Sequence, residues 1–251
     1  MWTFRRRPWR FDDGGKETAL YVSRDLGDTW KKIETTPDEP MARPGVAVAQ
    51  SSPNVVYLVT EFPTAGTLFR SDDYGETWAM VNDDRGINFR PFYYSDVFVD
   101  PSDENTVFVI SGGQSKSTDG GRTWKNLAFC KALPDGPQNT NYGCMGGLTR
   151  LAVKGHDILI YSNCDSPSGR NHGTVWVSFD GGQTWPVKRL VFAGRHAYSS
   201  ITSGRPGTVT EGMIFHHFEG GPKGGSAVAR FNLAWILESG EATGDGSIPK
   251  N

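Results

Sequence analysis

Cysteine and histidine are few in this 251-residue chain, with three and five residues. The three cysteines, Cys130, Cys144 and Cys164, match no zinc-ligand spacing and cannot all pair with one another. Three buried thiols are the favoured interpretation, and one disulfide with one free thiol is the alternative. His216 and His217 are adjacent, so a strand would point them to opposite faces. We therefore expect no metal site and no cofactor.

An eight-residue motif, S-x-D-x-G-x-T-W, occurs four times, with starts 46 to 61 residues apart. This spacing is about the size of a four-stranded propeller blade. The Asp accepts hydrogen bonds within its own turn, the Gly supplies a positive φ, and the Trp leaves the turn to pack between sheets. Each copy therefore predicts a hairpin turn that builds a blade. The copies are 23–30, 71–78, 117–124 and 178–185.

Short apolar segments surround these turns and have the composition of strands. Residues 19–22, 67–70 and 173–177 lead directly into copies of the motif, whereas 54–59 and 105–110 follow turn-forming residues and are typical of buried strands. No window has a helical period. We therefore expect an all-β fold with almost no helix.

The overall composition supports many short strands and excludes two classes of partner. The 31 Gly and 15 Pro favour turns, while 14 Phe, 8 Trp and 8 Tyr suit pleated surfaces. With 26 basic and 28 acidic side chains the formal net charge is −2, which argues against nucleic-acid binding. No apolar stretch approaches the roughly 18 residues of a membrane helix. We expect neither a nucleic-acid partner nor a membrane span.

The repeated motif is the signature known as the Asp box, and the chain resembles the Asp-box (BNR-repeat) β-propellers. Residues 1 to about 125 resemble sortilin-like and xyloglucanase-like repeat proteins. Residues from about 126 to 240 resemble the C-terminal part of exo-α-sialidases. The stretches that carry the resemblance are 5–9, 44–49, 81–85 and 90–95 in the first part, and 142–150, 158–163, 197–201, 218–222 and 229–235 in the second.

This resemblance implies a β-propeller of four-stranded antiparallel blades. We predict about five blades, the last from His196 to Ile236 without an Asp box, or six if an N-terminal blade is missing. Residues 1–240 are expected to form a single propeller domain, and residues 241–251, rich in Gly, Ser, Glu and Asp, a flexible tail.

The sialidase resemblance also implies a reaction, the release of terminal sialic acid from glycoconjugates. The carboxylate of that sugar calls for arginines, whose planar fork binds it bidentately, and sialidases use a tyrosine nucleophile. By resemblance, Tyr198 matches the nucleophile, Arg170 the last arginine of the carboxylate triad, and Glu219 the glutamate that orients a triad arginine. His196 would share the face of Tyr198, although a turn histidine is the favoured interpretation.

Two further candidates come from the N-terminal segment. Asp12 and Arg7 resemble the sialidase acid/base aspartate and its accompanying arginine in their distance from the first Asp box. The same stretch also fits the sortilin-like branch, so the alternative interpretation, an exposed turn at residues 12–15, is favoured. The first and second triad arginines and the glutamate base have no match in this sequence, and Asp96 is the acid near the expected position of that base.

Three functions follow as hypotheses. The first is a sialidase-like glycoside hydrolase acting on sialylated or other glycans with an incomplete catalytic set. The second is a non-catalytic propeller that binds a glycan or a protein on its funnel face. The third is a hydrolase of neutral glucans, which needs two acids, with Asp12 and Asp96 as candidates. The resemblance implies a secreted or periplasmic location, although the basic N-terminus of this chain lacks the apolar run of a signal peptide.

Overall fold

The computed structural model consists almost entirely of antiparallel β-sheet, which confirms the predicted all-β class. Its helices, in the part of the chain that the structure describes, are a 3-10 helix (Arg85–Asn88) and α1 (Leu233–Leu237). No helix in that part reaches the length and hydrophobicity needed to cross a bilayer. The expected tail at 241–251 lies outside the described residues, which are 2–15, 17–34, 39–62, 66–89, 91–111 and 113–238.

The chain divides into two compact units, residues 1–129 and 130–251. The first unit is built from short strands. They are β1 (Phe4–Arg7), β2 (Arg10–Asp13), β3 (Leu20–Val22), β4 (Lys31–Ile33), β5 (Gly45–Val48), β6 (Val56–Val59), β7 (Leu68–Ser71), β8 (Ala79–Asn82), β9 (Asp96–Asp100), β10 (Asp103–Ile110), β11 (Gln114–Ser117) and β12 (Lys125–Asn126).

Strands that are consecutive in this unit pair with one another. β5 to β8 form one four-stranded meander and β9 to β12 another, as expected for propeller blades, whereas β1–β2 and β3–β4 are two-stranded sheets. β6 is buried along its whole length, and its Tyr57, Leu58 and Val59 are fully inaccessible. The near-continuous apolar run of the predicted strand at 54–59 therefore reflects burial on both faces.

The second unit contains longer strands that form one six-stranded antiparallel sheet in chain order. Its core includes the fully buried Ile158, Ile160, Val175, Val177 and Ile214. The strands are β13 (Gly147–Val153), β14 (His156–Cys164), β15 (Asn171–Ser178), β16 (Val187–Ser203), β17 (Met213–Gly220) and β18 (Ser226–Asn232).

Strand β16 is 17 residues long and belongs to two blades. Its first part, from Val187 to Arg195, pairs with β15, and its second part, from His196 to Ser203, pairs with β17. It is therefore the last strand of one blade and the first strand of the next. The predicted blade boundary at His196 falls inside a continuous strand, because no turn separates the two parts.

Each Asp box follows a strand, β3, β7, β11 or β15, and connects it to the next strand as a hairpin turn. In every box the Asp carboxylate accepts the Thr N–H at 2.9 Å and the Thr hydroxyl at 2.5–2.6 Å. The Ser hydroxyl donates to the same carboxylate at 2.7–2.8 Å. These bonds, led by the Thr hydroxyl, lower the pKa of Asp25, Asp73 and Asp180 to about 2 and also lower that of Asp119.

The box tryptophans share one hydrogen bond but differ in packing. Each indole N–H donates to the carbonyl of the box Gly at 2.8–3.2 Å. Trp78 and Trp124 pack against apolar core clusters, whereas Trp30 is 62% exposed. The expectation that every box tryptophan packs between sheets is therefore wrong for the first box, whose two-stranded sheet offers less surface to cover the ring.

The cysteines are all free thiols. Cys144 and Cys164 are buried, as expected, but Cys130 is exposed. The interpretation of three buried thiols is therefore wrong for Cys130, which lies in an irregular segment after β12 rather than in a strand.

The difference between the tryptophans gives a first prediction. Replacing Trp124 by Ala should lower the free energy of unfolding by about 3 kcal/mol, because it leaves a cavity beside the core. Trp30→Ala, which removes a mostly exposed ring, should cost about 1 kcal/mol or less. Urea unfolding of both variants measures this. Equal losses would contradict the packing described for the two boxes.

Candidate active site

A β-bulge in β16 positions Tyr198. In the pairing with β17, His196 lies opposite Gly220 and Ser199 opposite Phe218, so the register shifts between them. Two residues of β16, Ala197 and Tyr198, therefore face the single residue Glu219. Bulges redirect side chains and recur next to active sites. Here the bulge places the half-buried Tyr198 across from Glu219 on the neighbouring strand.

Arg170 reaches the same place from the residue that precedes β15. Its carbonyl accepts a hydrogen bond from the His196 N–H at 3.0 Å, which fixes its backbone against β16. Its guanidinium carbon lies 4.7 Å from the centre of the Tyr198 ring and 5.4 Å from that of Tyr142. Its Nη2 donates to the Gly143 carbonyl at 2.9 Å. The guanidinium is thus oriented by two aromatic rings and one carbonyl.

The electrostatics of Arg170 suit an anionic ligand. Burial alone would lower its pKa, but a hydrogen bond with the Tyr198 side chain and the neighbouring Cys144 and Tyr142 outweigh that effect, so the pKa is raised. Its Nε is buried and has no hydrogen-bond partner among the described residues. A buried unpaired N–H is unfavourable, and the remaining N–H groups of the guanidinium can donate to a carboxylate.

Glu219 is exposed on β17, and its charge acts on the same group of side chains. The pKa of the Cys144 thiol is raised, first by a hydrogen bond with Cys164 and by burial, and further by the charge of Glu219, while the charge of Arg170 opposes the shift. Glu219 and Arg170 therefore both lie within electrostatic range of Cys144.

Three of the residues predicted from sequence thus come together in the second unit. Arg170, Tyr198 and Glu219 lie on or next to three neighbouring strands, in the order β15, β16, β17. Sequence reasoning assigned no role to Tyr142 or Gly143, which hold Arg170. The signal in the sequence is the aromatic residue beside Gly-Cys at the start of the stretch 142–150, which carries part of the resemblance.

The other two candidates, Arg7 and Asp12, lie in the first unit, on the β1–β2 hairpin. The Arg7 Nε lies 3.9 Å from Asp12 Oδ2, and Arg10 forms a second ion pair with Asp12. The alternative interpretation of residues 12–15 as an exposed turn is wrong for Asp12 and Asp13, which belong to β2 and are partly buried. Asp96, the acid near the expected position of the glutamate base, begins the edge strand β9.

A pair of buried histidines lies beside Tyr198. His196 and His216 are fully buried, their Nε2 atoms are 3.2 Å apart, and both rings pack on Phe218. Burial lowers their pKa to about 4 and about 3, so both are neutral at pH 7. The interpretation of His196 as a turn histidine is wrong, since it pairs within β16. In the described residues no three metal-ligating side chains cluster.

The histidine pair predicts a loss of stability in mild acid. The folded-state pKa values of both histidines lie below the ordinary value of 6.5. Folding stability is therefore highest above pH 6.5, where the histidines are neutral in both states, and it is lost as the pH falls toward 4. Between pH 7 and pH 5 each histidine should cost about 2 kcal/mol of unfolding free energy. Urea unfolding across this range tests it.

Two variants serve as controls for this pH dependence. His216→Leu should lose about half of it, whereas His217→Gln, at an exposed position, should keep all of it. A stability that is flat from pH 7 to pH 5 in the unmodified chain would contradict the burial of a neutral pair.

Comparison with known proteins adds sequence relatives of two kinds. Residues 18–130 match the family model described as "Sortilin, neurotensin receptor 3". A sialidase of Micromonospora viridifaciens is 29% identical in an alignment 187 positions long, which covers 66% of this chain and 25% of the relative. A sialidase of Bacteroides fragilis is 29% identical in an alignment 232 positions long, which covers 80% of this chain and 40% of the relative. The chain thus spans a quarter to two fifths of these sialidases.

Solved structures show the same fold. The leech intramolecular trans-sialidase superposes with a TM-score of 0.50 at 15% identity, over 94% of this chain and 42% of that one. The GH74 xyloglucanase of Xanthomonas campestris also gives 0.50, at 17% identity, over 85% and 32%. The predicted resemblance to Asp-box propellers is confirmed, with a sortilin-family match and sialidase and xyloglucanase relatives. The similarity is to sialidase-like glycoside hydrolases.

Proposed function

We propose that this chain carries part of the site of a retaining sialidase-like glycoside hydrolase, which releases terminal sialic acid from glycoconjugates. The observation that carries the proposal is the contact between Arg170 and Tyr198, whose ring centre lies 4.7 Å from the guanidinium carbon. A receptor for a carboxylate thus lies directly beside a candidate nucleophile. The sequence similarity to two sialidases supports the same reaction class.

The chemistry of the substrate explains why these two side chains belong together. The anomeric carbon of sialic acid carries the carboxylate, so binding that group at Arg170 brings the reacting carbon next to Tyr198. A carboxylate nucleophile would be repelled by the substrate charge, whereas a phenol is not. Sialidases are accordingly the tyrosine exception among glycosidases.

The proposed reaction has two steps. In the first, the Tyr198 oxygen bonds to the anomeric carbon, the bond to the departing glycan oxygen breaks, and the phenolic proton passes to a carboxylate. By resemblance Glu219 orients a triad arginine; because no separate glutamate base has a match in this sequence, we propose Glu219, on the neighbouring strand, as that acceptor. In the second, water attacks the same carbon, the bond from that carbon to the Tyr198 oxygen breaks, and this oxygen regains its proton from the carboxylate. The proton lost by the water passes to the acid that protonated the departing glycan, and sialic acid is released. Asp12 is proposed to protonate the departing oxygen and Arg7 to assist substrate binding, both on resemblance alone.

Binding without turnover is the second candidate function. Two observations favour it: the match of residues 18–130 to the sortilin family model, and the lack in this sequence of a matching glutamate base and of two triad arginines. In that case Arg170 would still recognise a carboxylate, but Tyr198 would form no covalent bond.

Replacing Arg170 by Lys tests the carboxylate receptor. The ligand is a dehydrated analogue of sialic acid that keeps its carboxylate. Lys keeps the charge of Arg170 but loses the planar fork, so affinity for this analogue should fall about tenfold or more. Calorimetric titration measures the dissociation constant. Arg150→Lys, at an exposed arginine ion-paired with Asp157, is the matched control and should bind normally. Equal affinity of both variants would argue against a carboxylate site at Arg170.

Replacing Tyr198 by Phe tests the nucleophile. The variant deletes one oxygen and keeps the ring on Arg170, so folding should persist while turnover of a fluorogenic sialoside falls by several orders of magnitude. A fluorinated sialosyl donor should label the unmodified chain at Tyr198 and leave the Phe variant unlabelled, as read by peptide mass spectrometry. A folded chain that binds the analogue but shows neither turnover nor label would favour binding without catalysis.

A further inference from the structure

A short segment that precedes β13, residues 142–145, is anchored at three successive carbonyls by three different parts of the second unit. The Gly143 carbonyl accepts from Arg170 Nη2 at 2.9 Å, and the Cys144 carbonyl from the Asn163 side-chain amide at 3.0 Å. The Met145 carbonyl accepts from the Ser199 N–H at 3.0 Å. We call residues 142–145 the anchoring segment. It ties the arginine side chain to the strand that carries Tyr198.

The anchoring segment is itself fixed from its N-terminal side. The Thr140 hydroxyl donates to the Tyr142 carbonyl at 3.0 Å, and the Cys144 N–H donates to the Asp135 carbonyl at 2.7 Å. Asn163 is fully buried, and the Oδ1 atom of its side chain accepts a hydrogen bond from the Cys164 N–H at 2.7 Å. Hydrogen bonds therefore fix the backbone before and after Tyr142. A residue that positions another side chain needs such a fixed backbone.

None of these hydrogen bonds involves the ring of Tyr142. It is 47% exposed and contacts the Arg170 guanidinium, whose carbon lies 5.4 Å from the ring centre. An aromatic ring over a guanidinium attracts it through the ring quadrupole. Together with Tyr198 and the Gly143 carbonyl, the ring restricts the directions in which Arg170 can point.

The guanidinium keeps N–H groups that these contacts do not use. Of its five N–H donors, one on Nη2 is used by the Gly143 carbonyl and one by the Tyr198 side chain, while the Nε–H is buried without a partner among the described residues. A carboxylate is planar and accepts two parallel N–H bonds, which matches the edge of a guanidinium held in a fixed plane. A neutral ester or hydroxyl at the same place cannot provide that charge-assisted pair.

We propose that Tyr142 is a positioning residue that fixes the plane of the Arg170 guanidinium and thereby makes the site selective for a carboxylate-bearing sugar. The proposal rests on the function proposed above and assigns a role to a residue outside its reacting groups. Tyr142 acts through Arg170, so its loss should affect charged ligands and spare neutral ones.

The test compares the dehydrated sialic acid analogue with its methyl ester, which has the same sugar without the charge. The unmodified chain should prefer the acid. Tyr142→Leu, which removes the ring, should lower that preference about fivefold, since a cation–π contact contributes about 1 kcal/mol. Tyr142→Phe should restore it. Met145→Ala, at a half-exposed side chain of the same segment, is the matched control and should retain the preference.

A second readout follows Arg170 itself and does not depend on the proposed reaction. The ¹⁵N resonance of the Arg170 Nε–H group, assigned by its loss in Arg170→Lys, should move in Tyr142→Leu, which removes a ring current, and stay in place in Met145→Ala. Circular dichroism establishes that each variant is folded. If the unmodified chain bound neither the acid nor the ester, the proposed function would fail, whereas a moved resonance would still show that the Tyr142 ring lies against Arg170.

Two outcomes overturn the proposal. One is an unchanged preference for the acid in a folded Tyr142→Leu variant, because the arginine would then be oriented without the ring. The other is an Arg170 resonance that is identical in Tyr142→Leu and in the unmodified chain. An equal loss of affinity for acid and ester would also count against it, since a general structural effect would lower both.

Discussion

One additional residue in β16 determines the geometry of the candidate site. If β16 and β17 were paired without a bulge, the residues between His196 and Ser199 would alternate strictly between the two faces of the sheet. The register shift instead sets Ala197 and Tyr198 against Glu219. The bulge is contacted by the Arg170 side chain and by the anchoring segment, and it is flanked by β15 and β17. The bulge is therefore a feature on which the site depends, rather than a defect in the sheet.

The two buried histidines, His196 and His216, support the backbone of the bulge. His196 begins the bulge, and its backbone N–H holds the carbonyl of Arg170. Its ring occupies the space that a side chain at residue 173 would fill, because a Cβ on Gly173 would lie 2.1 Å from the ring. Gly173 is thus required by close approach. Packing with His216 and Phe218 fixes the ring, so the backbone on either side of Tyr198 is constrained by well-packed groups.

The sequence was informative where structure is determined locally. The Asp box is eight residues long and makes its own hydrogen bonds, so the turns, the strands before them and the all-β class could be predicted from pattern. The exposure of Trp30 and Cys130 could not, since it depends on how many strands lie beside them. The same applies to the site. Tyr198, Arg170 and Glu219 were found by resemblance, but the bulge and the contact of Tyr142 with Arg170 join residues far apart in the chain.

The shared strand β16 has a mechanical consequence. A typical propeller blade can fray at its last strand without disturbing the next blade, because a loop separates them. Here the same backbone closes one blade and opens the next, with no loop between its two parts. Separation of β15 from β16, or of β17 from β16, would free the same strand. The two blades should therefore open as one cooperative unit, with the candidate site at the point where they share that strand.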